Sequence, residues 1–235
     1  MTSRSILLSG AFGAALVLGL AGLPGVLRAD VPARVMPTPG LDVSQSGLQI
    51  AMFAGGCFWG VQAVFQHVEG VTEAVSGYAG GKTADPSYEQ VSSGSTGHAE
   101  AVRVTFDPAR VSYATLLQIF FSVALDPTEV NRQGPDSGTQ YRSELFVAGP
   151  EQDRVAHAYV AQLDAAHLFD KPIATRIDPA PAFYPAEGYH QNYLVQHPHA
   201  PYITMNDMPK VEALQHLFPQ IWRDTPVTVG ALAAR

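Results

Sequence analysis

The order of apolar and polar positions predicts a strand, a tight turn and a helix near residue 50. Residues 48–54 form an almost continuous apolar run that ends in a glycine pair, a pattern typical of a buried strand. From Cys57 onward, apolar residues recur at helical spacing at Val61, Val64 and Phe65. The pattern therefore places Cys57 in the first turn of a helix that directly follows the strand.

The rest of the body is expected to alternate between strands and helices. Strands are predicted at residues 71–78, 99–106, 139–148 and 173–177, and helices at 113–123, 150–167, 186–196 and 209–217. Segment 79–97 is turn-rich and is expected to be an ordered loop or a lid. Strands interleaved with helices indicate a sheet with helices packed on it, and the irregular connections argue against a doubly wound parallel sheet.

The first 29 residues differ from the body. Residues 5–27 carry no charge and lie between Arg4 and Arg28, which is typical of an export signal. We expect a signal peptide of residues 1–29. The alternative is an uncleaved membrane anchor of residues 5–27, because this run is long enough to span a bilayer. Either interpretation places the body outside the cytoplasm, with the periplasm as the expected compartment.

Three further segments follow. Residues 30–46 are rich in Pro, Ser and Gly without an apolar period, so they are predicted to be a linker. Residues 47–222 are expected to form the folded domain. Residues 223–235 are expected to be a frayed tail.

Composition narrows the classes of function. The chain is 46% hydrophobic and 15% charged, with a formal net charge of -7 at pH 7. An acidic chain without a basic stripe is not expected to bind nucleic acid. Cys57 is its single cysteine, so an internal disulfide, common in exported proteins, is excluded.

Cys57 is the first candidate for chemistry. Unpaired N–H groups and the dipole at the start of a helix favour a thiolate, which is the nucleophilic form of cysteine. The competing interpretation is a small buried hydrophobic residue. Phe58 and Trp59 either pack in the core or form an apolar pocket beside the thiol, suited to a methyl or thioether group.

Glu100 is the second candidate. In the predicted strand 99–106 it shares a face with three apolar residues, and burial raises the pKa of a carboxyl so that it can donate a proton near neutral pH. A buried ion pair is the alternative. His98, on the same face, is the candidate base of a Cys–His hydrolase, although a local hydrogen bond is the commoner role.

Two tyrosines and an aspartate complete the candidate set. Tyr88 and Tyr141 are either ordinary half-buried tyrosines or offer their hydroxyls to a substrate oxygen. Asp136, five residues before Tyr141, is a candidate acceptor that supports the site from behind. The spacing of the histidines near residue 190 matches no metal site, so no metal is predicted.

Several motifs in order resemble the A-type peptide methionine sulfoxide reductases. They are GGCFWG (55–60), GYAGG (77–81), DPSYEQV (85–91), TGHAEAVRVTFDP (96–108), QGPDSGTQYRS (133–143) and FYPAEGYHQNYL (183–194). The resemblance covers residues 48–219, essentially the whole body. It implies an α+β fold, a two-layer α/β sandwich related to the ferredoxin-like plait, with a mixed sheet and helices packed on it.

The resemblance also implies a reaction and a role for each matching residue. The S epimer of methionine sulfoxide, in proteins or as the free amino acid, would be reduced to methionine through a sulfenic acid. Cys57 would attack the sulfoxide sulfur, and Glu100 would protonate the sulfoxide oxygen. Tyr88 and Tyr141 would bind that oxygen with their hydroxyls, and Asp136 would organise the thiol. Phe58 and Trp59 would hold the methyl group.

The chain departs from many relatives because it lacks their recycling cysteines near the C-terminus. Its region HPHAPYITMNDMPKVEAL resembles the branch with a single catalytic cysteine. The resemblance therefore implies no bound cofactor and an external thiol as reductant: a thioredoxin-like protein, a glutaredoxin or glutathione. We expect a monomer that repairs oxidised exported proteins.

Two other functions compete with the reductase. The first is a thiol hydrolase that uses Cys57 and His98, which predicts a hydrogen-bonded Cys–His pair. The second is a non-catalytic binding module that recognises oxidised methionine with its aromatic pocket. This hypothesis predicts that the thiol is dispensable.

Overall fold

The computed structural model describes residues 33–230. The predicted signal peptide or anchor lies outside the described residues. Within 33–230, no helix combines the length and the apolar character needed to cross a membrane.

A six-stranded mixed sheet forms the centre of the fold. The strands of the chain are β1 (Gln49–Gly55), β2 (Val71–Ala79), β3 (Ala99–Phe106), β4 (Arg132–Gln133), β5 (Asp136–Ser137), β6 (Ser143–Val147), β7 (Arg176–Pro179) and β8 (Phe183–Pro185). The large sheet has the order β7-β6-β1-β3-β2-β8, and β4 pairs only with β5. Strands β6 and β7 run parallel, whereas the other neighbours run antiparallel.

From Ala51 onward, strand β1 is buried on both faces, which explains the continuous apolar run there. Ala51 and Phe53 belong to the main core on the helical side of the sheet. Met52 and Ala54 belong to a smaller apolar cluster that includes Phe146 of β6. A strand between two neighbours and covered on both faces has no position for a polar side chain.

Helices cover the sheet and confirm the predicted α+β class. They are α1 (Phe58–Gln66), α2 (Tyr88–Ser92), α3 (Tyr113–Ile119), α4 (Pro150–Ala165), α5 (Tyr193–Gln196) and α6 (Met208–Leu217). Helix α1 packs against β1, β2 and β3, and α4 packs against β6 and β7. The side chain of Ser112 caps α3 by accepting from the N–H of Thr115 at 3.2 Å.

Some predicted elements differ from the observed ones. The expected loop 79–97 contains α2, which begins with a capping box formed by Ser87 and Gln90. The strand expected at 139–148 starts only at Ser143, because a 3₁₀ turn occupies Thr139–Tyr141. The helix expected at 186–196 is interrupted at Asn192, whose φ of 58° is left-handed.

The predicted linker and tail both contact the body. Residues 33–46 form no helix or strand, yet Met36 is 2% exposed and the hydroxyl of Tyr159 donates to the carbonyl of Pro37 at 2.9 Å. In the tail, Val227 N–H donates to the carbonyl of Gln66 at 3.0 Å. These backbone and side-chain bonds hold both segments, so the expectation of fraying is wrong as far as residue 229.

Candidate active site

A glycine pair places Cys57 at the start of α1. Gly56 has a φ of +87°, and a Cβ there would lie 2.5 Å from Cβ of Gln133. A Cβ on Gly55 would lie 2.8 Å from the ring of Phe120. The chain can therefore turn from β1 into α1 at this point only with glycines. Cys57 becomes the N-cap of α1 and is 8% exposed.

The Cys57 thiol is protonated in the resting protein, contrary to the expectation from the helix start. Burial raises its pKa well above the ordinary value, and the charges of Asp207 and Glu100 raise it further. The N–H of Trp59 and the ammonium of Lys210 act in the opposite direction but do not compensate. Desolvation outweighs the helix terminus because the sulfur has little contact with water.

Glu100 lies beside the cysteine as a buried acid. Its side chain is on the apolar face of β3, as predicted, and the residue is 3% exposed. Its Oε2 accepts the N–H of Phe58 at 3.0 Å, which satisfies one of the free donors at the start of α1. Burial raises the pKa of Glu100 to about 8, even though this hydrogen bond lowers it. The carboxyl is therefore mostly protonated at neutral pH and can donate a proton.

Two tyrosines bring hydroxyls to the same region. Burial, followed by the neighbouring charge of Glu100, raises the pKa of Tyr141 well above the ordinary value. Burial also raises the pKa of Tyr88, with smaller contributions from Glu100 and Cys57. Both hydroxyls therefore stay protonated and can donate. Glu187 positions Tyr88 by accepting its backbone N–H at 2.9 Å.

Asp136 and Tyr202 form a second group near the sulfur, and Tyr202 was not among the residues predicted from the sequence. The hydroxyl of Tyr202 donates to Oδ2 of Asp136. Burial raises the pKa of Tyr202, and the nearby Cys57 raises it further. Asp136 thus has a fixed partner, and both residues line the same cavity as Cys57.

Asp207 is the other residue that the sequence analysis missed. It is 0% exposed, and its Oδ1 accepts from Nζ of Lys210 at 3.3 Å, whereas Oδ2 has no hydrogen-bond partner. A Cβ on Gly60 would lie 2.2 Å from Oδ1, so the glycine makes room for this carboxyl against the first turn of α1. Burial raises the pKa of Asp207.

Phe58 and Trp59 differ in how much surface they offer. Phe58 is 1% exposed and packs against Tyr78 and His190, with ring centroids 5.9 and 5.1 Å away. Trp59 is partly exposed and stacks on Tyr193 at 3.8 Å. Its Nε1 donates to Nδ1 of His190 at 3.1 Å, which fixes the indole. Trp59 is therefore the ring with surface available for a substrate, and Phe58 supports it from the core.

A cavity of about 350 Å³ lies beside Cys57. Its wall includes Cys57, Asp136 and Tyr202, and Lys210 is the single cation among the described residues that line it. Most of the other lining side chains are apolar or small.

The structure gives no support to a Cys–His hydrolase. Both ring nitrogens of His98 lack hydrogen-bond partners, and its ring packs edge-on against Tyr184 at 5.7 Å. Burial lowers the pKa of His98, so the ring is neutral. Across residues 33–230, no hydrogen bond joins Cys57 to a histidine, and no group of three or more His, Cys, Asp or Glu side chains is placed to hold a metal ion.

Comparison with known proteins adds independent findings. The sequence model of the family "peptide methionine sulfoxide reductase" matches residues 49–221. The chain is 55% identical over 183 residues to peptide methionine sulfoxide reductase MsrA 2 of Mesorhizobium japonicum, covering 78% of this chain and 94% of that protein. It is 45% identical over 206 residues to the protein of the same name from Synechocystis sp., covering 86% and 96%. Among solved structures, methionine sulfoxide reductase A of Corynebacterium diphtheriae is 35% identical, with a TM-score of 0.56 and coverage of 74% of this chain and 89% of that one.

Proposed function

Because the chain belongs to the A-type peptide methionine sulfoxide reductases, which are oxidoreductases, we propose that it reduces the S epimer of methionine sulfoxide through a sulfenic acid on Cys57. The substrate is the oxidised residue in proteins or the free amino acid. The observation that carries the mechanism is the buried, protonated carboxyl of Glu100 at the start of the helix that holds the thiol.

The sulfoxide oxygen is the first group to react. Sulfoxide sulfur is a weak electrophile until its oxygen is protonated or strongly hydrogen-bonded. Glu100 supplies the proton, and the hydroxyls of Tyr88 and Tyr141 donate hydrogen bonds to the same oxygen. Trp59, supported by Phe58, holds the methyl group.

The thiol becomes nucleophilic only in the complex. Burial keeps Cys57 protonated at rest, so the free protein is protected from indiscriminate oxidation. Proton transfer to the sulfoxide oxygen places positive charge on the substrate sulfur, and that charge favours the thiolate beside it. The S–O bond of the substrate breaks as oxygen passes to the cysteine. The thiol and the sulfoxide thus give the sulfenic acid and methionine, with no net proton consumed.

An external thiol must restore Cys57, because the chain contains no second cysteine. The candidates are a thioredoxin-like protein, a glutaredoxin and glutathione. No prosthetic group is needed for either step. Asp136, held by Tyr202, keeps the region around the sulfur in place during both steps.

We further propose that the enzyme acts outside the cytoplasm, as a monomer that repairs oxidised exported proteins. The uncharged residues 5–27 support export, and a membrane anchor of the same residues is the alternative. Mass analysis of the mature N-terminus, combined with cell fractionation, tests this. A full-length protein in the cytoplasmic fraction contradicts export.

The reaction is tested with the two separate epimers of methionine sulfoxide and dithiothreitol. We expect methionine from the S epimer only, and none from Cys57→Ser. Without a reductant, one equivalent of methionine per enzyme should form and leave a sulfenic acid that a dimedone-type reagent traps. A thiol that is still free after the S epimer has been added contradicts the mechanism, and an unaffected Cys57→Ser variant favours the module that only binds oxidised methionine.

A further inference from the structure

The cavity beside Cys57 is separate from the groups that activate the sulfoxide. Cys57 lines it, whereas Glu100, Tyr88 and Tyr141 do not. In the proposed reduction, Asp136 and Tyr202 at its wall support the sulfur, but no step places a ligand in the cavity. At about 350 Å³ it has the size of a pocket for a small molecule, and it is too small for a folded partner.

Lys210 gives the cavity a site for an anion. Its ammonium carries three N–H donors, and Asp207 accepts only one of them, at 3.3 Å. Asp207 is fully buried, so water does not compete with the ammonium for its carboxyl, and the carboxyl holds the ammonium at the cavity wall. The side chain of Lys210 is 22% exposed, which leaves it accessible from the cavity.

The two carboxylates that line the cavity already have partners. Asp126 accepts from the N–H and the hydroxyl of Thr128 at 2.9 and 2.8 Å. Asp136 accepts from the hydroxyl of Tyr202. Both remain able to attract an ammonium group, so the lining suits a ligand that carries a carboxylate and also tolerates an amine.

We propose that this cavity binds the low-molecular-weight thiol that restores Cys57, and that Lys210 pairs with a carboxylate of that thiol. The inference rests on the proposed function, because only a sulfenic acid requires a second thiol. The size of the cavity and the charge of Lys210 favour a small amino-acid-type thiol over a protein as the reductant.

The chemistry of this step balances. The bound thiolate attacks the sulfur of the Cys57 sulfenic acid, an S–S bond forms, and the S–O bond breaks as hydroxide leaves and takes up a proton to become water. A second thiol then attacks the mixed disulfide, which releases the Cys57 thiol and a small-molecule disulfide. Two thiols are oxidised for each sulfoxide reduced.

The experiment compares two thiols that differ in charge. The second-order rate constant for regeneration is measured at saturating sulfoxide with 3-mercaptopropionate, which carries a carboxylate, and with neutral 2-mercaptoethanol. In Lys210→Gln the ratio of the two constants should fall about five-fold, the effect of one partly exposed ion pair. Lys171→Gln, at an exposed lysine that does not line the cavity, should leave the ratio unchanged. A change in the reactivity of Cys57 affects both thiols and cancels in the ratio.

A second pair of variants tests the same proposal if Lys210→Gln fails to fold. Met205 lines the cavity and is 70% exposed, so replacing it does not disturb the core. Met205→Glu adds a negative charge at the cavity and should lower the ratio, whereas Met205→Gln, of similar shape, should not.

An unchanged ratio in both charge variants overturns the proposal. So does a rise in the KM for sulfoxide without a change in the ratio, since the cavity would then hold the substrate. Faster turnover with a thioredoxin-like protein than with any carboxylated thiol, unaffected by Lys210→Gln, also overturns it. The methionine formed in a single turnover without reductant tests the proposed function separately, since that step needs no second thiol.

Discussion

The carboxyl of Glu100 accepts the backbone N–H of Phe58, the residue directly after Cys57, at 3.0 Å. One hydrogen bond thus connects the proton donor to the first turn of the helix that carries the thiol. Because the same oxygen caps the helix, the acid and the nucleophile keep a fixed relative position. The carboxyl is also buried, so it stays protonated where an exposed glutamate would be ionised.

Glu100→Gln should lower the single-turnover rate of methionine formation by about 100-fold or more, the usual contribution of a general acid. The amide oxygen of Gln can still accept the N–H of Phe58, so the helix start is preserved and the fold is retained. Rapid-quench measurement of methionine checks this. A rate within a few-fold of the native enzyme, with an unchanged thermal midpoint, would show that the tyrosines suffice.

The pH dependence of the reaction should report the same carboxyl. The pKa of Glu100 is raised to about 8, so the protonated form is lost as the pH rises through that value. We expect kcat/KM for sulfoxide to decline through pH 8, and we expect this decline to be absent in Glu100→Gln. If kcat/KM of Glu100→Gln declines with the same midpoint, the titrating group is not Glu100.

The stability of the fold should depend on pH through Glu100 as well. Its pKa is 4.5 when exposed and about 8 in the folded chain, so folding is unaffected below pH 4.5 and is increasingly opposed between pH 4.5 and 8. Glu100→Gln removes this cost. Its free energy of unfolding relative to the native protein should therefore rise from pH 5 to pH 8.5, as measured by denaturant titration. A difference that is constant over this range contradicts the buried acid.

Local patterns predicted the centre of the site because the residues there follow one another in regular elements. Strand β3 was predicted with both of its ends, since its alternation shows directly in the sequence and places Glu100 on the core face. The glycine pair before Cys57 likewise marks a turn. The resemblance to the family then supplied the roles that pattern alone left open.

The parts that the sequence did not predict depend on contacts between distant segments. Asp207 is the last residue of the π-helical segment Ile203–Asp207 and lies against Gly60 across the fold. No periodicity in that segment predicts a buried carboxyl. The protonated state of Cys57 was not predicted for the same reason. The helix start is a local feature, whereas the burial and the charge of Asp207 that outweigh it come from tertiary packing.

Gly56→Ala should destabilise the protein by about 1–3 kcal/mol, the cost of holding a residue with a side chain in a left-handed conformation. The added Cβ would also lie 2.5 Å from the side chain of Gln133. Thermal or denaturant unfolding measures the effect. Gly188→Ala is the matched control, because a Cβ there meets nothing within 4 Å, and it should unfold like the native protein. Equal stability of the two variants contradicts the requirement for glycine at this turn.

Asp207→Asn should make the resting thiol more reactive. The charge of Asp207 is, after burial, the largest contribution that raises the pKa of Cys57, and Asn has the same size without that charge. A lower pKa means more thiolate at neutral pH, so alkylation by iodoacetamide at pH 7.5 should be several-fold faster. Asp126→Asn is the control, since Asp126 lines the same cavity but is not among the charges that act on the thiol. If both variants are alkylated at the native rate, burial alone keeps the thiol protonated; if both are faster, access to the cavity has changed and the charge of Asp207 has no specific effect.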